Sequence, residues 1–313
     1  MSLAPFGVVV ALALAGPRSY DGPNAVAAVD PEPAAREYVP APRVPHASGD
    51  NGATRRPVVR RAARSLGPVR ARWGIDAGIT AGAAVPALVL DRWVTPQLPL
   101  TPLPTEPADL GRIDAVAQGR FAPRVATASD VLVAITIAAA PLVSLVDGAW
   151  AARASTSRRG RAFAHRWGTA VLIEAEALAL SRVVTAALKH AVGRPRPYTS
   201  LAPEDVRARD RQGLTEALQR ADRSHSFPSG HSSMAFAAAT SLATVLTLDA
   251  PKTKRARIVI GLAWSLGLVA AGTTAALRVV AGKHYPSDVV AGAAIGSAVG
   301  VVTPLLHARR RRR

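Results

Sequence analysis

The chain is 313 residues long, 49% hydrophobic but only 4% aromatic, and carries 39 Lys and Arg against 21 Asp and Glu, a formal charge of +18. Having no Cys, it excludes a disulfide framework and a thiolate metal site. Its apolar residues come in long Ala, Val and Leu blocks, which favour membrane helices, while nucleic acid, acidic lipid and cytoplasmic loops compete to explain the basic excess.

Residues 1–28 hold an apolar run followed by Ala-Val-Ala, which reads as a secretory signal or an apolar N-terminal segment, although no basic residue precedes the run. Residues 29–72 are rich in Pro, Ala and Arg without a sustained apolar period, so a disordered extension is expected. Apolar blocks of roughly spanning length, about 20 residues, then recur at 74–90, 130–150, 169–188, 232–248, 258–277 and 287–306. The third contains Glu174, Glu176 and Arg182, which should face the bundle interior because unpaired charge in hydrocarbon is costly. The expectation is an all-α fold: a six-transmembrane helical bundle over 73–306 with a basic tail at 307–313. A soluble bundle of unusually apolar helices is the alternative, disfavoured by the block lengths.

The basic residues give an orientation. Arg55, Arg56, Arg60, Arg61, Arg64, Arg70 and Arg72 precede the first block. Arg153, Arg158, Arg159, Arg161 and Arg166 lie between the second and third, Lys252, Lys254, Arg255 and Arg257 join the fourth to the fifth, and Arg309 to Arg313 end the chain. All fall on one side of a six-helix count, so that side is cytoplasmic by the positive-inside rule. Topogenic loops thus account for most of the charge without nucleic acid, and anionic lipid headgroups are the partners expected beside them.

Three outward loops contain what topology leaves unexplained. Lys189, Arg194 and Arg196 crowd the end of the third block, against the orientation rule. The stretch HSFPSGHSSMAFA at 225–237 places Ser229, Gly230 and His231 at a helix entrance, where free N–H groups and the positive dipole end suit an anion. The sequence LRVVAGKHYPSDVV brings Arg278, His284 and Asp288 to the junction of the last two blocks. Two helices of about 30 Å carry the chain across and back, so these groups return to the face of His231. A lone loop His is more often solvated or capping, but the combination converges on one cup.

Two guanidiniums, an ammonium, a hydroxyl and a helix-entrance N–H suit a tetrahedral dianion, namely phosphate. Two histidines beside it can divide labour, one as nucleophile and one as proton donor to the leaving oxygen. No carboxylate cluster suited to Mg²⁺ appears on this face, so the reading needs neither a metal nor a cofactor.

The stretches Lys189-x6-Arg196-Pro197, Pro228-Ser229-Gly230-His231 and Arg278-x5-His284-x3-Asp288 resemble, in order and with family-like separations, the three signature motifs of the type 2 phosphatidic acid phosphatase family, which shares its site with vanadium-dependent haloperoxidases. The resemblance covers roughly residues 130–306. It implies that His284 attacks phosphorus, that Asp288 orients and charge-stabilises His284, and that His231 protonates the departing oxygen and later activates water. It further implies that Lys189, Arg196, Ser229, the Gly230 N–H and Arg278 hold the phosphoryl oxygens. One departure is Leu277, where the family commonly has Ser, so a phosphate-positioning hydroxyl is missing there and weaker binding is expected.

The resulting expectation is a lipid phosphate or pyrophosphate phosphatase in a bacterial-type inner membrane, acting on a membrane lipid from the extracytoplasmic face. A lipid phosphotransferase differs only in whether an alcohol or water attacks the phosphohistidine. A vanadate-dependent haloperoxidase would use the same cup in a soluble protein, and a non-enzymatic phosphate binder would not need both histidines and the carboxylate. Phosphatidic acid, phosphatidylglycerol phosphate, lipid A phosphates and polyprenyl diphosphate all suit a site at the bilayer surface.

Overall fold

Runs of Ala, Leu and Val punctuated by capping Ser, Thr and Pro fold into long helices. The computed structural model describes residues 66–100, 111–153, 159–251 and 253–310, all within the unit Arg64–Arg313. The signal-like run and the Pro/Arg-rich stretch up to residue 65 lie outside the described residues.

A short strand β1, Leu66–Val69, is followed by α1, Trp73–Val89, which continues through a π turn at Leu90–Val94 and a 3-10 turn at Thr95–Gln97. Next come α2, Arg112–Ala115; α3, Pro123–Arg153; α4, Arg159–Val192; and α5, Ala208–Leu218. The last three helices are α6, Gly230–Asp249; α7, Lys254–Val280; and α8, Pro286–His307, before β2 at Ala308–Arg310. The fold is helical as expected, apart from the antiparallel pair β1–β2, which aligns Val69 with Ala308. Residues 66–69 therefore form a strand at the end of the segment expected to be disordered. Arg159, Arg161 and Arg166, expected in a loop, sit inside α4.

Among the described residues, five stretches are long and apolar enough to cross a membrane, against six expected: Trp73–Gln97, Pro123–Trp150, Gly230–Asp249, Lys254–Val280 and Pro286–His307. The missing one is the 169–188 block, part of α4, where Glu174, Glu176 and Arg182 break the apolar run. Its carboxylates face the bundle, as expected. Glu174 and Glu176 are buried, and Glu174 accepts from Ser144 Oγ at 2.7 Å.

The bundle is apolar outside and small or polar within. Helix α6 is central, with 72% of its spanning window buried, and it presents Ala235, Ala237, Ala238, Ser241 and Thr244 to its neighbours. Leu88, Leu142, Leu266, Val269, Val290 and Leu306 are exposed on the periphery, an arrangement that suits hydrocarbon rather than water.

Contact between α6 and α8 is closest along Gly292, Gly296 and Gly300. A Cβ at these positions would overlap Ser229 O, Ser233 O and Thr240 Oγ1 respectively. This small-xxx-small spacing lets two backbones meet where hydrophobic driving force is weak; Ser232 Oγ reinforces the contact by donating to Val289 O at 2.7 Å, while Ser233 Oγ, 2.5 Å from Ser181 Oγ, ties α6 to α4.

At the other end of α6, Val69 N donates to Asp249 Oδ1 at 2.9 Å, Arg70 N donates to His307 O at 3.0 Å, and Arg166 pairs with Asp147 at 2.7 Å. The start of α4 and the ends of α6 and α8 thus lie together, which leaves the end of α4 and the starts of α6 and α8 together at the opposite end.

Replacing Gly296 by Val should lower stability by about 1–3 kcal/mol, the usual cost of overpacking, whereas Val290→Ala, on the exposed face, should be neutral. Thermal unfolding in detergent checks this, and an unchanged midpoint for Gly296→Val would contradict the close packing.

Candidate active site

The site is built where three chain segments meet: the end of α4 with the turn after it, the entrance of α6, and the junction between α7 and α8. Its most constrained group is Asp288, fully buried at the start of α8. Its Oδ1 pairs with Arg194 Nη1 at 2.6 Å. Its Oδ2 accepts from Ser226 Oγ at 2.5 Å and from Tyr285 N at 2.8 Å, and its carbonyl accepts from Ser229 N at 2.9 Å. Arg194 is itself fixed by Asp114 of α2 at 2.8 Å and by the Ser287 hydroxyl at 2.8 Å.

His284, also buried, was expected to be held by the Asp288 carboxylate. The structure puts that carboxylate 3.7 Å from Nδ1, while the Ser226 carbonyl lies at 2.7 Å. A carbonyl only accepts, so Nδ1 carries the proton and Nε2 carries a lone pair. The carboxylate acts through Ser226, whose hydroxyl it binds and whose carbonyl orients the ring. The reason is positional: one turn of helix places Asp288 behind His284, where it also caps α8 through Tyr285 N.

The lone pair of His284 Nε2 faces Arg196 Nη1 at 3.5 Å. Arg196 is buried and anchored by the Asp222 carbonyl at 2.9 Å, the Asp222 carboxylate at 3.1 Å and the Lys283 carbonyl at 3.0 Å. Burial first, then the positive charge of Arg196, Arg278, Lys189 and His231, hold His284 well below the ordinary imidazole range. The ring is therefore neutral at neutral pH.

His231, in the first turn of α6, lies 2.8 Å from Asp130 Oδ1 of α3, and the same oxygen accepts from Arg278 Nη1 at 2.8 Å. Arg278 also reaches Ser129 Oγ at 3.0 Å, so a hydroxyl from α3 stands beside it where Leu277 offers none, and its buried Nε has no hydrogen-bond partner. Gly230 lies under Arg182 and Lys189. A Cβ there would sit 2.8 Å from Arg182 Nη1 and 3.8 Å from Lys189 Nζ. Arg182 in turn pairs with Asp91, beyond α1. Ser229 is fully buried, and its Oγ accepts from Ser232 N at 3.3 Å, so it serves as the N-cap of α6.

The eight expected residues, Lys189, Arg196, Ser229, Gly230, His231, Arg278, His284 and Asp288, thus join one connected cluster. Ser229 and Asp288 stand behind it as supports. Lys283 adds a cation: its Nζ sits 4.8 Å from the Tyr198 ring and 5.6 Å from that of Phe121. Burial, Arg196 and Arg278 bring this ammonium down to about 8. Asp222 is pushed up by burial but pulled further down by Arg196, Lys283 and Lys189, so it stays ionised. The carboxylates bordering the cup, Asp130, Asp222 and Asp288, are each paired with an arginine.

Sequence reasoning missed Asp130, Asp114, Ser226, Arg182 and Lys283, and left Arg194 without a role. Two carried a signal. Asp130 is a carboxylate opening an apolar block, where an ionisable residue marks function by default. Ser226 lies inside the polar stretch that precedes α6. Asp114 carried none.

No curated protein and no solved structure gives a significant match to the chain. Residues 170–312 match the family model described as PAP2 superfamily, a span that runs from within α4 to the C-terminal tail and contains all eight clustered residues, with Asp130 outside it. By that match residues 170–312 are similar to the PAP2 superfamily, the family that the three motifs resemble.

Proposed function

We propose that the protein is an integral membrane phosphatase that hydrolyses a lipid phosphate or lipid pyrophosphate through a phosphohistidine on His284. The observation that carries this reading is the protonation pattern around His284: Nδ1 held by the Ser226 carbonyl at 2.7 Å leaves the Nε2 lone pair facing the arginine-lined cup. The superfamily's phosphatase and phosphotransferase chemistry supports the same class of reaction.

In this mechanism Lys189, Arg196, Arg278 and the N–H groups at the start of α6 receive the phosphoryl oxygens, and the unpartnered Arg278 Nε is available for one of them. His284 Nε2 forms the bond to phosphorus as the P–O bond to the lipid breaks. His231 gives its proton to the leaving oxygen, then takes one from the water that cleaves the phosphohistidine. Side-chain cations stabilise the developing charge, so the reaction requires no metal. Asp130 orients the His231 ring. An alcohol in place of water would make the same site a phosphotransferase. Basic residues concentrate at the far end of the bundle, in the first turns of α4 and α7 and at Arg309 and Arg310 of β2. The positive-inside rule then makes that end cytoplasmic and puts the cup on the outer face of the inner membrane.

The two histidines separate by leaving group. His284→Ala should abolish hydrolysis of every substrate. His231→Ala should lose about 10² to 10⁴-fold on a lipid monoester yet keep a larger share of its phosphoenzyme burst on p-nitrophenyl phosphate, whose phenolate leaves unaided. Rapid-quench measurement of both bursts decides it, and equal loss on both substrates would remove His231 as the acid.

Asp130→Asn keeps the shape at His231 and removes the charge. Turnover of a lipid monoester should fall by about tenfold or more with little change on p-nitrophenyl phosphate. Equal losses in steady-state kinetics would make Asp130 a support for Arg278 alone.

The pH profile tests Lys283. An ammonium at about 8 is charged below that pH and neutral above it, so kcat/KM, which reports the free enzyme, should decline as pH rises through 8. Arg at this position stays charged, and Lys283→Arg should move the basic limb upward. An unmoved limb would take Lys283 out of phosphate binding.

A further inference from the structure

A second polar cluster lies at the end of the bundle opposite the cup. Asp76 is in the first turn of α1, His307 is the last residue of α8, and Glu176 of α4 reaches between them. Their side chains are 0%, 5% and 6% exposed. His307 Nε2 lies 3.2 Å from Asp76 Oδ2 and 3.4 Å from Glu176 Oε2, and one ligand atom from each residue falls within 4.8 Å of the others.

The hydrogen bonds around the cluster leave its centre open. His307 Nδ1 is 2.8 Å from the Thr303 carbonyl, which only accepts, so the proton sits on Nδ1 and the Nε2 lone pair points at two carboxylates. Nε2, Glu176 Oε2 and Asp76 Oδ1 have no hydrogen-bond partner, whereas Asp76 Oδ2 accepts from Arg72 N at 2.5 Å. A lone pair and two anions facing one another in a buried space call for a cation or a proton between them, and the Arg72 guanidinium, 3.9 Å from Asp76 Oδ1, approaches from the exposed side without entering that space.

We propose that Asp76, Glu176 and His307 bind one divalent ion of the zinc type. A tetrahedral ion with bonds of about 2.0–2.1 Å separates its ligand atoms by about 3.4 Å, which matches the two distances from Nε2. One imidazole with two carboxylates suits zinc better than magnesium or calcium, which prefer all-oxygen shells. Two carboxylates balance a divalent ion, and a carbonyl on the second ring nitrogen is the usual support for a metal-bound histidine. The ion would clasp α1, α4 and α8, joining the first and last long helices of the bundle. Its role is structural, at a distance from the phosphate cup, and it does not depend on the reaction proposed there.

The test uses the full chain in detergent with any affinity tag removed, stripped with chelator, then equilibrated with Zn²⁺. Elemental analysis should find about one zinc per chain in the wild type, and Glu176→Gln and His307→Ala should each bind at least about tenfold more weakly. Zinc should raise the unfolding midpoint of the wild type and leave both variants unmoved. Glu176→Gln, nearly isosteric, keeps the test valid if His307→Ala fails to fold. A wild type that takes up no zinc and whose midpoint ignores both zinc and chelator would overturn the proposal and make the cluster a proton-bridged triad. Equal uptake by wild type and variants would overturn it as well.

Discussion

The reactive end of the molecule depends on the neutralisation of one buried carboxylate. Asp288 has no access to water, and a bare charge there would be prohibitive. Its requirement for donors therefore dictates the surroundings: Arg194 on one oxygen, the Ser226 hydroxyl and the Tyr285 N–H on the other. Each donor belongs to a different segment of chain, so satisfying the charge also brings those segments into register. The orientation of His284 follows, because the serine that donates to Asp288 also accepts from the imidazole. Arg194 extends the network outward to Asp114, and α2 is thereby tied to a site with which its four residues share no sequence signal.

The rest of the bundle obeys the same rule in reverse. With leucine and valine on the periphery, there is little to gain by hiding them, and cohesion comes from small side chains, hydroxyl hydrogen bonds and paired charges. The polar residues of α4 illustrate the balance. Glu174 meets Ser144, Ser181 meets Ser233, and Arg182 meets Asp91. Two of the charges that keep α4 from being an apolar span thus tie it to α3 and to the turn after α1, while the Ser181 hydroxyl ties it to α6.

Much of this was legible in the residue pattern because the determining signals were local. The capping serine before α6, the proline opening α8 and the apolar blocks set the positions of α6, α7 and α8 to within a few residues, whereas α3 and α4 begin well before their blocks, and the ordered spacing of Lys189, Arg196, His231, Arg278, His284 and Asp288 pointed to a phosphate cup. What escaped was set by distant contacts. The partner of His284 is a backbone carbonyl, which has no letter in a sequence. Asp130 acquires meaning only once α3 is docked beside α6 and α7. The antiparallel pair of β1 and β2 joins residues near the two ends of the described chain, and no local pattern marks such a pairing. The excess of charge in α4 was visible, but block length alone counted it as a span.

The glycine contacts between α6 and α8 carry a consequence for how such a site diversifies. His231 rides on the first of these helices and Asp288 on the second, and their backbones meet so closely that neither slides without a clash. The chemical apparatus is consequently a rigid cassette, indifferent to the remainder of the molecule so long as its supports persist. Under the proposed reaction, substrate selectivity would have to be written elsewhere, in the elements that frame the cassette without belonging to it: α1 with its terminal turns, the outer part of α3, and the 197–224 segment between α4 and α6. Changes there would then alter which substrate fits while His231 and His284 keep their separation.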